Sequence, residues 1–191
     1  GCKTEADFLI GFRGLPLACE PTMTAFLNRT SCGPEIAAFT QTLLTAPAQP
    51  GPLLATALGW LCAATQADFG ALLVLNGDTL AAAAVCEPGA AAAAAPDRLE
   101  LLLTQGIAGY AAGGAAPILL RDIGADPRWG PPGLDPTLPV AGAALAVPAC
   151  EPVQAVLVLR AAQASSFTAE RVGWLGYALE LLCEPVRAAL A

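Results

Sequence analysis

The sequence predicts an α+β fold: a central antiparallel sheet flanked by helices, preceded by an N-terminal extension of short helices and turns. Three observations predict it. Two apolar runs, 69–75 and 79–86, are separated by Asn76-Gly77-Asp78, a tight-hairpin signal. Two later runs, 140–147 and 153–159, are almost wholly apolar, as strands covered on both faces are. Near its end the chain carries the stripe Val172, Leu175, Leu179, Leu182, Val186 and Leu190, with the spacing of one helix face.

Before residue 51 the pattern is irregular. Residues 4–17 form a mixed segment punctuated by Gly11, Gly14 and Pro16, and Thr22 suits the cap of a short helix reaching Asn28. Gly33-Pro34-Glu35 opens another helix, with Ile36, Phe39 and Leu43 at helical spacing. The proline-rich stretch 46–52 divides an extension, 1–50, from a domain, 51–191. So short an extension buries too little surface to fold alone. It is expected to pack on the domain or on a partner, with Ile36, Phe39 and Leu43 against the terminal helices.

In the domain, Leu54, Ala57, Leu58 and Leu61 make one face of a helix with Pro52 in its first turn. The hairpin follows, then an alanine-rich loop. Pro96-Asp97 starts a helix with Leu99, Leu102 and Leu103 facing inward, expected to end at Gly106. A second, glycine-initiated helix then runs to Gly113-Gly114, an apolar strand covers 117–120, and a turn uses Asp122, Asp126, Pro127 and Trp129. Residues 148–152 are expected to join the last two strands. Thr168 suits the cap of the closing helix, and Pro185 should kink or end it.

Composition narrows the function. The 191 residues are 55% hydrophobic and 13% charged, a globular balance, and no apolar run approaches the ~20 residues that cross a bilayer. The formal charge is −7, and the eight arginines and single lysine are scattered, so nucleic acid is excluded as a partner. Histidine is absent, which removes the usual metal ligands, the haem ligand and the Ser-His-Asp triad. No metal and no cofactor are expected. None of the seven cysteines forms C-x-x-C, so the thiols read as reduced and structural in a cytoplasmic protein, with a Cys19–Cys32 disulfide as the alternative. No phosphate-binding glycine loop is present.

The stretch GIAGYAAGGAAPILLRDIGADPRW, 106–129, resembles the second half of a GAF domain: a Gly-x-x-Gly helix, an apolar strand and an Asp-x-x-x-Asp-Pro-Arg-aromatic loop. The helix and hairpin after Pro52 and the Phe167-Thr168-Ala169-Glu170 helix start extend the resemblance over roughly 52–191. It implies a fold with terminal helices on one sheet face and a pocket region on the other. It also implies candidate pocket residues: Cys86, Tyr110, Asp122, Asp126, Arg128 and Trp129. In that setting Arg128 would pair an anionic group and Trp129 would stack. Alternatively, Asp122 and Asp126 serve the turn itself, satisfying backbone N–H groups, and Trp129 is a hydrophobic plug.

Special chemistries of the family lack their residues here. Free methionine-sulfoxide reductases carry a reactive cysteine in the glycine-rich helix start, where this chain reads Gly106-Ile107-Ala108-Gly109. Bilin attachment uses a Cys-His pair, and cyclic-nucleotide binding an Asn-Lys-x-x-x-Phe motif; both are missing. The chain is therefore expected to be no enzyme. It reads as a non-catalytic regulatory or sensor module that binds a small molecule or signals through protein contacts. The alternative is a structural or scaffold subunit of a larger assembly.

Val172, Leu175, Leu179, Leu182 and Val186 either pack in the chain's own core or form an interface with a protein partner or second copy, to which the alanine-rich surface would contribute. Gly1-Cys2 resembles the start of doubly acylated proteins, although Glu5 stands where the motif wants Ser or Thr. Membrane attachment is expected only if that N-terminus is acylated.

Overall fold

The computed structural model describes residues 33–76, 79–87, 98–125, 142–150, 152, 154–164, 166–168 and 172–190, with backbone alone at 98–105 and 125. Among these residues, α1 (Gly33–Thr45) and α2 (Pro50–Thr65) precede the hairpin β1 (Phe69–Asn76) and β2 (Thr79–Cys86). Then come α3 (Arg98–Gly114), β3 (Ile118–Leu120), a 3₁₀ turn (Ile123–Ala125), β4 (Ala143–Ala149), β5 (Ala155–Ala161), α4 (Leu175–Leu181) and α5 (Cys183–Leu190).

The five strands form one fully antiparallel sheet in the order β2-β1-β5-β4-β3. The central strands β1, β5 and β4 are the most apolar, because both their faces are covered. Alternation along them sends one set of side chains to each face. On one face Leu72, Val74, Leu145, Leu157 and Leu159 pack with α1, α2, α4 and α5. On the other, Ala71, Leu73, Ala144, Ala146, Val156 and Val158 meet α3, Leu120 and Ile123.

The inward faces of α2 and of the C-terminal segment agree with their periodicity. Leu54, Ala57, Leu58 and Leu61 are buried, and α2 ends where Gln66 turns left-handed at φ 58°. Helix α1 lies on α2 and α4, with Phe39 fully buried and its ring 5.2 Å from that of Trp60; Trp60 in turn meets Trp174 edge-on at 5.4 Å.

Three local expectations are corrected. Helix α3 passes through Gly106 without a break, one helix in place of two. Each interior glycine costs up to about 1 kcal/mol of helix propensity, but Gly106 and Gly109 are buried beside Ala108 and Ala111. Packing of this narrow face on the sheet offsets the cost. Pro148 and Ala149 belong to β4 and pair with Val156 and Ala155. Proline is tolerated there because β3 pairs only with Ala144 to Ala146, leaving that side of Pro148 without a ladder partner. The closing helix is divided at Leu182: Pro185 has no N–H to give Leu181, and its ring crowds that carbonyl.

Candidate functional site

The sheet face under α3 is the region where the GAF resemblance expects a pocket. Phe69, Ala71 and Leu73 from β1, Val156 and Val158 from β5, and Ala144 and Ala146 from β4 form its floor; Ile107, Ala108 and Ala111 form its roof. Small residues on both surfaces let the helix and sheet approach closely. At one end, Leu120 and Ile123 close the face, and the Ile123 N–H donates to the Gly142 carbonyl at 2.9 Å. Gly142 holds φ +120°, and a Cβ there would overlap the Ala161 carbonyl, so the junction requires glycine.

The candidate residues are scattered over this frame. Tyr110 is half-buried near the end of α3. Asp122 is exposed, and its carboxylate accepts from the Gly124 N–H at 3.1 Å, the bond of an Asx turn. Asp126, Arg128 and Trp129 lie outside the described residues, as do Gly1, Cys2, Cys19 and Cys32.

Cys86 stands on the opposite face from α3, against the helical core, because it pairs across the strands with Gly70. A bulge, two residues of β2 set against one of β1 between Leu72 and Leu73, leaves Ala83 unpaired and switches the faces of the residues beyond it. Counting alternation through β2 as an unbroken strand misplaces Cys86 for this reason. Cys62 of α2 sits directly over Gly70, and burial first, then the adjoining Cys86, pushes the Cys62 thiol far above its ordinary range. Cys62 is therefore a neutral, apolar filler at physiological pH.

Val172, Leu175, Leu179, Leu182 and Val186 are all buried in the helical core. A partner meeting α4 and α5 would touch their other sides, where Leu181 and Leu190 are 42% and 40% exposed.

Arg160 was not among the sequence candidates. It lies on β5 two residues beyond Val158, opposite Phe69 on β1 and Ala144 on β4, and alternation turns it toward the α3 face. It is half-buried, a cation at the margin of an otherwise apolar face. The signal available in the sequence is period two carried forward from the apolar run 155–159, which places 156, 158 and 160 on one face. Among the described residues, no three Cys, Asp or Glu side chains cluster as a metal site, and no helix is long and apolar enough to cross a membrane.

Among the described residues, an antiparallel 2-1-5-4-3 sheet carries α1, α2, α4 and α5 on one face and α3 on the other, the arrangement of a GAF domain. No protein-family model and no curated protein sequence matches the chain. Solved structures do. The GAF domain of an Acinetobacter phosphoenolpyruvate-protein phosphotransferase superposes with TM-score 0.63 at 15% identity, over 82% of this chain and 94% of that one. The type II free methionine-R-sulfoxide reductase of Thermoplasma acidophilum gives TM-score 0.58 at 16% identity, over 72% and 92%. The free methionine-R-sulfoxide reductase of Neisseria meningitidis, solved with its substrate, gives TM-score 0.58 at 16% identity, over 85% and 96%. The chain has the GAF fold.

These neighbours correct one expectation. The absence of histidine and of a cysteine at 106–109 led to a chain without enzymatic activity. Two of the matched structures are enzymes built on this same fold. The fold accommodates catalysis, and the absence of one arrangement of residues does not exclude it.

Proposed function

We propose that the chain is a GAF-type regulatory module that takes a small anionic molecule at the α3 face of the sheet and passes its binding to partners through the helical face. The observation that carries the reading is Arg160, a half-buried cation beside Phe69 on the apolar α3 face. An anion beside it would gain a charge-assisted hydrogen bond in a partly desolvated setting. Support by likeness comes from a neighbour that is the GAF domain of a phosphotransferase and another solved with its substrate.

The test is a thermal-shift screen of amino acids, 2-oxoacids, nucleotides and tetrapyrroles against the chain and Arg160→Gln. Ligand at a hundred times its Kd stabilises by about 2.7 kcal/mol. A carboxylate or phosphate compound should raise Tm in the parent and do so far less in the variant. No shift with any of the four classes, or an equal shift in both proteins, overturns the reading.

A second reading, a structural subunit, is favoured by three large apolar side chains left exposed on the helices, Leu44 at 76% together with Leu181 and Leu190. Light scattering separates the two: a chain that stays monomeric at high concentration and brings no partner through purification argues against the subunit.

A further inference from the structure

The two thiols at the C-terminal helix stand apart from the α3 face and have no part in the reading above. Cys150 follows β4 directly, in the turn that leads to β5, with φ +68°. Cys183 opens α5. Cys183 and Arg187 are four residues apart on α5, hence on one side of it. Arg187 Nε donates to Gln154 Oε1 at 3.3 Å, and Gln154 lies in the same β4–β5 turn as Cys150. That side of α5 therefore rests on the turn, with the Cys183 thiol beside that of Cys150. Cys183 donates its S–H to the Leu179 carbonyl at 3.4 Å. Both residues are half-buried, so a small oxidant reaches them, whereas Cys62 is completely covered.

We propose that Cys150 and Cys183 form a reversible disulfide that staples α5 to the β4–β5 turn, making the C-terminal helix responsive to low-molecular-weight disulfides such as oxidised glutathione. Cys183 reacts first. Its sulfur, as thiolate, attacks one sulfur of the oxidant; that S–S bond breaks, one glutathione thiol leaves, and a mixed disulfide remains on Cys183. Cys150 then loses its proton to solvent and attacks the Cys183 sulfur, expelling the second glutathione thiol. In sum, two protein thiols and one glutathione disulfide give one protein disulfide and two glutathione thiols. In the reduced protein burial first, then the adjoining Cys183, pushes the Cys150 thiol up to about 12, with the Arg187 guanidinium opposing the shift and Glu184 adding to it. Thiolate exchange of this kind is faster in mild alkali.

Bridging holds the start of α5 where Val186 is already buried and Arg187 already bonded, so the oxidised form keeps the reduced fold. What changes is the freedom of the last helix to lift away. Closing a loop with a covalent bond removes open states of that segment.

The sequence makes the test direct. Trypsin places Cys150 alone in the peptide 129–160 and Cys183 alone in 172–187. The full chain is reduced, equilibrated with oxidised glutathione, capped with N-ethylmaleimide, digested without reductant and weighed. The expected result is one species joining the two peptides, lighter than their sum by two hydrogens and split by dithiothreitol. In the oxidised protein, amide exchange over 184–190 should slow by about tenfold. Recovery of both peptides separately, carrying maleimide or glutathione, overturns the proposal. So does a link from either cysteine to a different one. Joined peptides with unchanged exchange over 184–190 overturn the staple and leave only a bridge.

Discussion

At Gly70 the sheet offers no side chain, and Cys62 of α2 occupies the space. A Cβ there would overlap Cys62 Sγ and lie 3.2 Å from Leu58 Cδ1 and 3.3 Å from Leu159 Cδ2. Gly70→Ala is expected to cost about 1–3 kcal/mol through overpacking. The urea midpoint should fall with the slope unchanged, and an unmoved midpoint would show that the core yields. Cys62 also predicts a pH dependence. Its folded thiol is raised by burial and then by Cys86, so the unfolded chain ionises first. The contribution is complete below the unfolded thiol's range, about pH 8.5, and is lost as pH rises beyond it. Stability should decline between about pH 8 and pH 10, and Cys62→Ala should flatten that decline. Parallel curves for the two proteins would show that other groups cause it.

The elements differ in how much their own residues decide. Helix α2 reads clearly because its apolar face is periodic and proline occupies its first turn. Gly59 in its middle does not help it: a Cβ there meets nothing within 4 Å, and its φ is not in the left-handed region. Gly59→Ala is therefore expected to stabilise the protein by about 0.5–1 kcal/mol, through helix propensity and a less flexible unfolded chain. A lower Tm would refute the propensity argument at this position. Helix α3 behaves differently. Gly106 looks like a helix end by propensity, yet the helix continues because the narrow face of Gly106 and Gly109 packs on the sheet. The strand limits of β4 and β5 move by two or three residues from the apolar runs for a similar reason. Pairing partners, rather than hydropathy, decide where a ladder stops.

For the molecule as a whole, the sheet separates a helical core from the α3 face, and α1 completes the helical core. Phe39, Trp60 and Trp174 form one aromatic group across α1, α2 and the start of α4. Removing residues 1–45 should leave a folded sheet that self-associates, since Trp60 and Trp174 lose their cover. A truncated chain that stays monomeric by light scattering would refute that role of α1. The sequence by itself determined the α+β class, the hairpin, the faces of α2 and of the C-terminal helices, and the GAF-like order of elements. All of these rest on local periodicity or turn chemistry, which nearby residues encode. The tertiary structure alone decided that α3 is continuous, that Cys86 faces Cys62 rather than α3, and that α5 rests on the β4–β5 turn. Each depends on pairing register or on contact between residues distant in the chain. A single bulge in β2 reverses a face without leaving any mark on the hydrophobic pattern.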